Sequence, residues 1–198
     1  MPGNGHEALQ KALDKAEGDN ACQVDCLNNT TECCGEKPVD PDEMFEKCDF
    51  DPNGPSEEIN ALLNPADSMV ALKVRDEAFA RTQAEYHTVR TDLGEANAFQ
   101  HAYGSYVLSK KIGESEAKKF GDAHERNTSY PIGDTLKDLH NNEVGRRLAR
   151  DPNNGLEDAT KAIKDAIARG ELRIDEFKVK KKEKASPASP LVPAAPRG

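Results

Sequence analysis

From about residue 66 onward, apolar residues recur at helical spacing. The pattern predicts a first helix from Ala66 to about Arg90, with Met69, Leu72 and Ala80 facing inward. A second runs from about Glu95 to Lys111 and stops at Ile112-Gly113. A third opens at Glu114-Ser115-Glu116, where acidic residues suit the positive helix N-terminus, and ends near Glu125. A fourth covers about Asp134 to Arg150. A fifth covers Leu156 to Arg169, with Ala159, Ala162, Ile163, Ala166 and Ile167 on one face and Gly170 as its stop. Tyr130-Pro131-Ile132-Gly133 and Asp151-Pro152-Asn153-Asn154-Gly155 read as loop and turn. Leu172-Arg173-Ile174 reads as one short extended piece.

The flanks read differently. Glu7 to Glu17 has a short helical pattern with Leu9 and Leu13 on one side. A cysteine-bearing segment follows, then an irregular acidic stretch punctuated by Pro38, Pro41, Pro52 and Pro55. Lys178-Val179-Lys180-Lys181-Lys182 and the Pro/Ala/Ser tail behind it read as disordered. The expected architecture is therefore an all-α, compact bundle of about five helices over 64–175. An N-terminal cap or linker fills 1–63 and a basic tail fills 176–198. No solenoid period is visible.

Three of the predicted helices carry an unusual second face. On the second helix, Phe99, Ala102, Tyr103, Tyr106 and Val107 make one apolar side. Asn97, His101, Gly104, Ser105 and Leu108 fall opposite. These residues are small or polar but uncharged, so this helix reads as buried on both sides. On the third, Ala117, Phe120, Gly121 and His124 sit at i, i+3, i+4 and i+7, which places His124 in the inward stripe. On the fourth, Leu136, Leu139 and Val144 occupy one side. Asp138, Asn141, Asn142 and Gly145 cluster on the other, with Asp138 and Asn142 as i, i+4 neighbours. His140 falls nearer the leucine side. His6 and His87 lie in polar surroundings and read as surface residues.

Such a gathering permits three readings. His101 and His124 with Glu125 or Asp138 suit a divalent metal, zinc or calcium, with His101, His124 and Asp138 as ligands. They also suit a metal-free acid/base pair, with a carboxylate orienting the histidine. They also suit a buried hydrogen-bond network that only fixes helix packing. Asn97, Asn141, Asn142 and Arg146 are candidate substrate-binding groups, although Arg146 also fits a structural ion pair. Ser105 lies one turn after His101 but lacks the sharp turn and oxyanion hole of a serine nucleophile. No HExxH, GxSxG or P-loop pattern is present.

Composition narrows the classes. The chain has 198 residues, 36% of them hydrophobic and 32% charged, which allows only a modest core. A net charge of −9 leans against general nucleic-acid binding, which needs a concentrated positive field. No apolar run is long enough for a membrane span. The N-terminus has neither a basic start nor an apolar stretch, so no classical secretory signal is expected. Cys22, Cys26, Cys33, Cys34 and Cys48 crowd into one early segment. They read as a disulfide-stapled loop region with one thiol left over, ahead of structural zinc or free thiols. Disulfides would imply an oxidising destination.

The blocks NAFQHAYGS, IGESEAKKFGDAHE and KDLHNNEVGRRLA, in that order, resemble an uncharacterised bacterial domain family found in toxin-like and phage-associated proteins. The likeness covers roughly Asn64 to Ile174. Its signature positions here are His101, His124, Glu125, Asp138, Asn141, Asn142 and Arg146. The chain departs from the pattern at Asn97, where the family has Asp, and at Gln100, where it has Arg. The resemblance implies a functional site rather than packing alone. The expected function is a toxin or effector domain that hydrolyses an envelope component, lipid or cell-wall material. It would reach its target without a classical signal peptide and be neutralised by a cognate immunity protein. The alternatives are a non-catalytic module of a secretion or phage system and a calcium-assisted phospholipase-like enzyme.

Overall fold

The computed structural model describes residues 38–88, 94–126 and 130–180, and the backbone of a two-residue hairpin, Gln23–Val24 (β1) against Thr31–Glu32 (β2). The expectations for Glu7–Glu17, His6, Cys22, Cys26, Cys33, Cys34 and residues 181–198 fall outside the described residues. Among the described residues seven helices follow: α1 Pro41–Lys47, α2 Glu57–Leu63, α3 Pro65–Tyr86, α4 Gly94–Ile112, α5 Glu114–Arg126, α6 Ile132–Ala149 and α7 Ala159–Ala168. The five periodic helices of the sequence correspond to α3 to α7. Among the described residues no helix is long and apolar enough to cross a membrane.

α1 and α2 occupy the stretch that reads as irregular. Their apolar content is too short to show a period, but the ends of α1 are well specified. The Asp40 side chain accepts from the Asp42 N–H at 3.1 Å, and Pro41 takes the first helical position, where its missing N–H costs nothing. Cys48 caps the other end of α1 and is disulfide-bonded.

α4 is the axis of the molecule. It packs most extensively on α6, then on α3, α5 and α7. Its predicted apolar face is closed: Phe99, Ala102 and Tyr106 have no exposed surface, and Ile163 of α7 shares their cluster. The α4–α6 crossing is very close. A Cβ on Gly145 would lie 2.1 Å from the Ala102 carbonyl oxygen, so only glycine fits. α6 is enveloped, with 13 of its 18 residues buried. A second apolar cluster joins Met44, Cys48 and Phe50 to Leu136, Leu139 and Phe177 on its far side.

Two burial expectations are corrected. On α3 the inward residues are Val74, Ala78 and Thr82, while Met69, Leu72 and Ala80 are exposed. The small i, i+4, i+8 stripe wins because it faces α4, where Gly104 leaves room beside the Ala78 methyl group. Residues 177–179, expected in the tail, also pack on the rest of the protein. Phe177 is buried, its N–H donates to the Gly133 carbonyl at 3.0 Å, and Val39 and Val179 form a parallel bridge.

Candidate active site

His101 lies midway along α4, where the polar face of that helix meets α5 and α6. Its Nδ1 is 3.4 Å from Glu125 Oε1 of α5, and its Nε2 is 3.5 Å from Asp138 Oδ2 of α6. Each ring nitrogen thus faces its own carboxylate. The Glu125 and Asp138 side chains are 1% and 6% exposed, so water screens this contact little. Burial disfavours a charge on the ring, but Asp138 and then Glu125 outweigh it and push the His101 pKa up to about 9. Burial pushes Asp138 up to about 6, against the pull of His101. His101 is therefore an imidazolium at neutral pH, able to donate a proton.

Neighbours fix this pair of acids. Asn142 Nδ2 donates to Glu125 Oε1 at 3.0 Å, and Ser105 Oγ donates to Asn142 Oδ1 at 2.9 Å. On the other side the buried Lys137 ammonium lies 3.5 Å from Asp138 Oδ1 and donates to Asp134 at 2.6 Å. Burial opposes the Lys137 charge, yet Asp138 and Asp134 raise its pKa. The result is an alternating chain of charges through the helix interface. Lys137 shows no sequence signal, because a lysine in a charged run reads as solvated.

A pocket of about 240 Å³ opens over this group. His101, Glu125, Asn142, Ser105 and Gln100 line it, and further residues of α2, α3, α4 and α5 supply the rest of the wall. Asp138 stands behind the ring and does not line the pocket. The Gln100 Oε1 is buried without a hydrogen-bond partner among the described residues.

Several expected site residues are placed elsewhere. His124 is half exposed, and its Nδ1 is 2.9 Å from Glu57 Oε1 of α2. Its stripe does face inward, but onto the pocket rather than onto a packed helix, so its last residue reaches solvent. The His124 ring centre is 6.3 Å from that of His101, at the rim of the same pocket. Asn141 belongs to the scaffold: its Nδ2 donates to the Arg173 carbonyl, its Oδ1 accepts the Arg173 N–H, and both bonds are 2.8 Å. His140 is buried and its Nε2 is 2.9 Å from the Glu171 carbonyl oxygen. Arg146 pairs with Glu143 at 2.7 Å and does not line the pocket. Asn97 is buried one turn before His101, also outside the pocket lining.

The metal expectation changes in composition. Of the described residues, His101, Glu125 and Asp138 can offer ligand atoms within 4.8 Å of one another, and His124 is not in that set. One ion could use only one ring nitrogen, and the two carboxylates face different ones. Zinc or calcium at this set would take one ring nitrogen and one oxygen from each acid. A protonated His101 satisfies both acids as they stand.

Residues 59–171 match the model of a family described as "Domain of unknown function (DUF6973)". No curated protein and no solved structure matches the chain.

Proposed function

We propose that this chain, which belongs to that domain family, is a hydrolase whose acid/base centre is His101 with Glu125 and Asp138. The observation that carries the reading is the clamped His101 ring on the wall of an open pocket. A group built only for packing would be closed off by its neighbours, whereas His101 and Glu125 both line a cavity.

The roles follow from position. Glu125, on the pocket wall, accepts a proton from water as the hydroxyl oxygen adds to the electrophilic centre. His101 donates its Nδ1 proton to the leaving oxygen as the scissile bond breaks. The proton on Glu125 then returns to His101 across their 3.4 Å contact. Water is consumed, one bond is cleaved, and both side chains regain their starting state. Asp138 holds the ring from behind, and Asn142 holds Glu125. These two are positioning residues. No metal is required for this cycle.

The biological setting we propose is a toxin or effector acting on an envelope component, with an immunity protein as its partner. The acidic charge, the disulfide at Cys48 and the resemblance of the signature blocks support it. The test is bacterial growth after inducing the chain in the cytoplasm and, separately, behind an export signal, each beside Glu125→Gln and His101→Gln. Killing only on export, abolished by variants that circular dichroism shows folded, is the expected result. Cytoplasmic killing would redirect the search to nucleotides or nucleic acid. Absence of any effect, with variants that lose only thermal stability, would favour a non-catalytic module.

A further inference from the structure

The pocket wall mixes two chemistries. Hydrogen-bonding groups gather around His101, and Glu57, Ser68, Arg75 and His124 add others. Much of the remaining wall is Ala71, Leu72, Val74, Ala78, Leu108 and Phe120. A glycan carries hydroxyl groups along its whole length and would leave most of them without partners there. A hydrocarbon chain needs none. The apolar wall also continues outward. Ala61, Ser68 and Leu72 line the pocket, and beside them in α2 and α3 stand Leu62, Leu63 and Met69, which are 82%, 68% and 57% exposed. Leu72 itself is 46% exposed, so it belongs to both the wall and the outer surface. Scattered exposed apolar residues need no explanation, but a group that includes a pocket-lining residue, Leu72, does.

We infer that the pocket accepts one hydrocarbon chain of a lipid, entering over the lip formed by Leu62, Leu63 and Met69, with the polar linkage of the lipid at His101. The chain packs against α3, α4 and α5. The linkage lies where Glu125 and His101 reach it. The bond broken rests on the hydrolytic reading above; occupancy of the pocket by the chain does not.

The experiment is calorimetric titration of the full chain with a monoacyl lysophosphatidylcholine below its micelle concentration, and with chitotriose as the glycan probe. Saturable lysolipid binding and no chitotriose binding are expected. Ala71→Phe fills the wall from the partly buried side of α3 and should weaken binding at least about tenfold, or 1.4 kcal/mol. Leu62→Lys with Leu63→Lys, both on exposed positions, should reduce sedimentation with phosphatidylcholine vesicles while the protein stays folded. Saturable chitotriose binding, or lysolipid affinity unchanged by Ala71→Phe, overturns the inference. Lysolipid binding with no lipid cleaved by the parent chain would sink the hydrolytic reading and leave the chain pocket standing.

Discussion

The five residues from Asp138 to Asn142 serve two regions of the molecule with opposite outcomes. Asp138 and Asn142, four apart on α6, turn toward α4 and α5. There they hold His101 and Glu125 beside a cavity. His140 and Asn141 turn the other way and bond to the backbone at Glu171 and Arg173. Both regions are buried and polar. They differ in what the polar atoms meet. A backbone partner is a fixed dipole with no proton to exchange, so that seam can only hold the chain in place. Side-chain partners that are titratable, mutually coupled and open to a pocket can move a proton. Partner type and access, rather than polarity alone, separate scaffold from site.

The comparison can be broken most sharply at the site. Glu125→Gln keeps the shape of the side chain, while His101→Gln removes the ring. Each should lower hydrolytic turnover by about 10²- to 10⁴-fold with an unchanged far-ultraviolet spectrum. A folded variant at full rate would make the site a packing network like the seam. Next in size is the crossing that holds both regions. Gly145→Val places a Cβ against the Ala102 carbonyl and should cost about 3 kcal/mol of stability, read from urea midpoints. On the seam, Asn141→Ala orphans two backbone groups of Arg173. It should cost about 2 kcal/mol yet leave turnover per folded molecule intact. Lost turnover in that folded variant would return Asn141 to the site.

The two regions should also separate by pH. The His101 pKa is raised above the unfolded value of about 6.5. Its contribution to stability is therefore complete below about 6.5 and is lost as pH rises through about 9. Thermal midpoints should fall across that window in the parent and in Asn141→Ala, and the fall should be shallower in His101→Gln. An equal slope in all three would place the titrating group elsewhere. The smallest effect is expected at the rim. His124→Ala removes a half-exposed pair with Glu57 and should change stability by no more than about 0.5 kcal/mol, with less effect on turnover than the Gln variants.

Much of this was legible in the sequence. Helical periodicity located α3 to α7, and the two-faced pattern of α4 anticipated its burial on both sides. His101 stands out because its face of α4 is small and polar where a solvent-facing helix carries charge, and Glu125 and Asp138 stand out as carboxylates on the neighbouring helices. α1 and α2 were missed because seven residues are too few to display a period. His124 was misplaced for a related reason. A helical wheel distinguishes inward from outward but cannot tell a packed neighbour from an open pocket.

The sequence by itself therefore determined the helices of the bundle and the polar inventory at their interface. Those depend on spacing along one chain direction and on residue type. Tertiary structure alone decided which nitrogen of His101 meets which acid, that Lys137 is buried beside Asp138, and that Asn141 bonds the backbone of Arg173. Each of these contacts joins positions whose relative placement is set by how closely the helices approach. That approach is controlled by small residues such as Gly145 and Ala78, whose effect on distance appears only once the partner helix is in place.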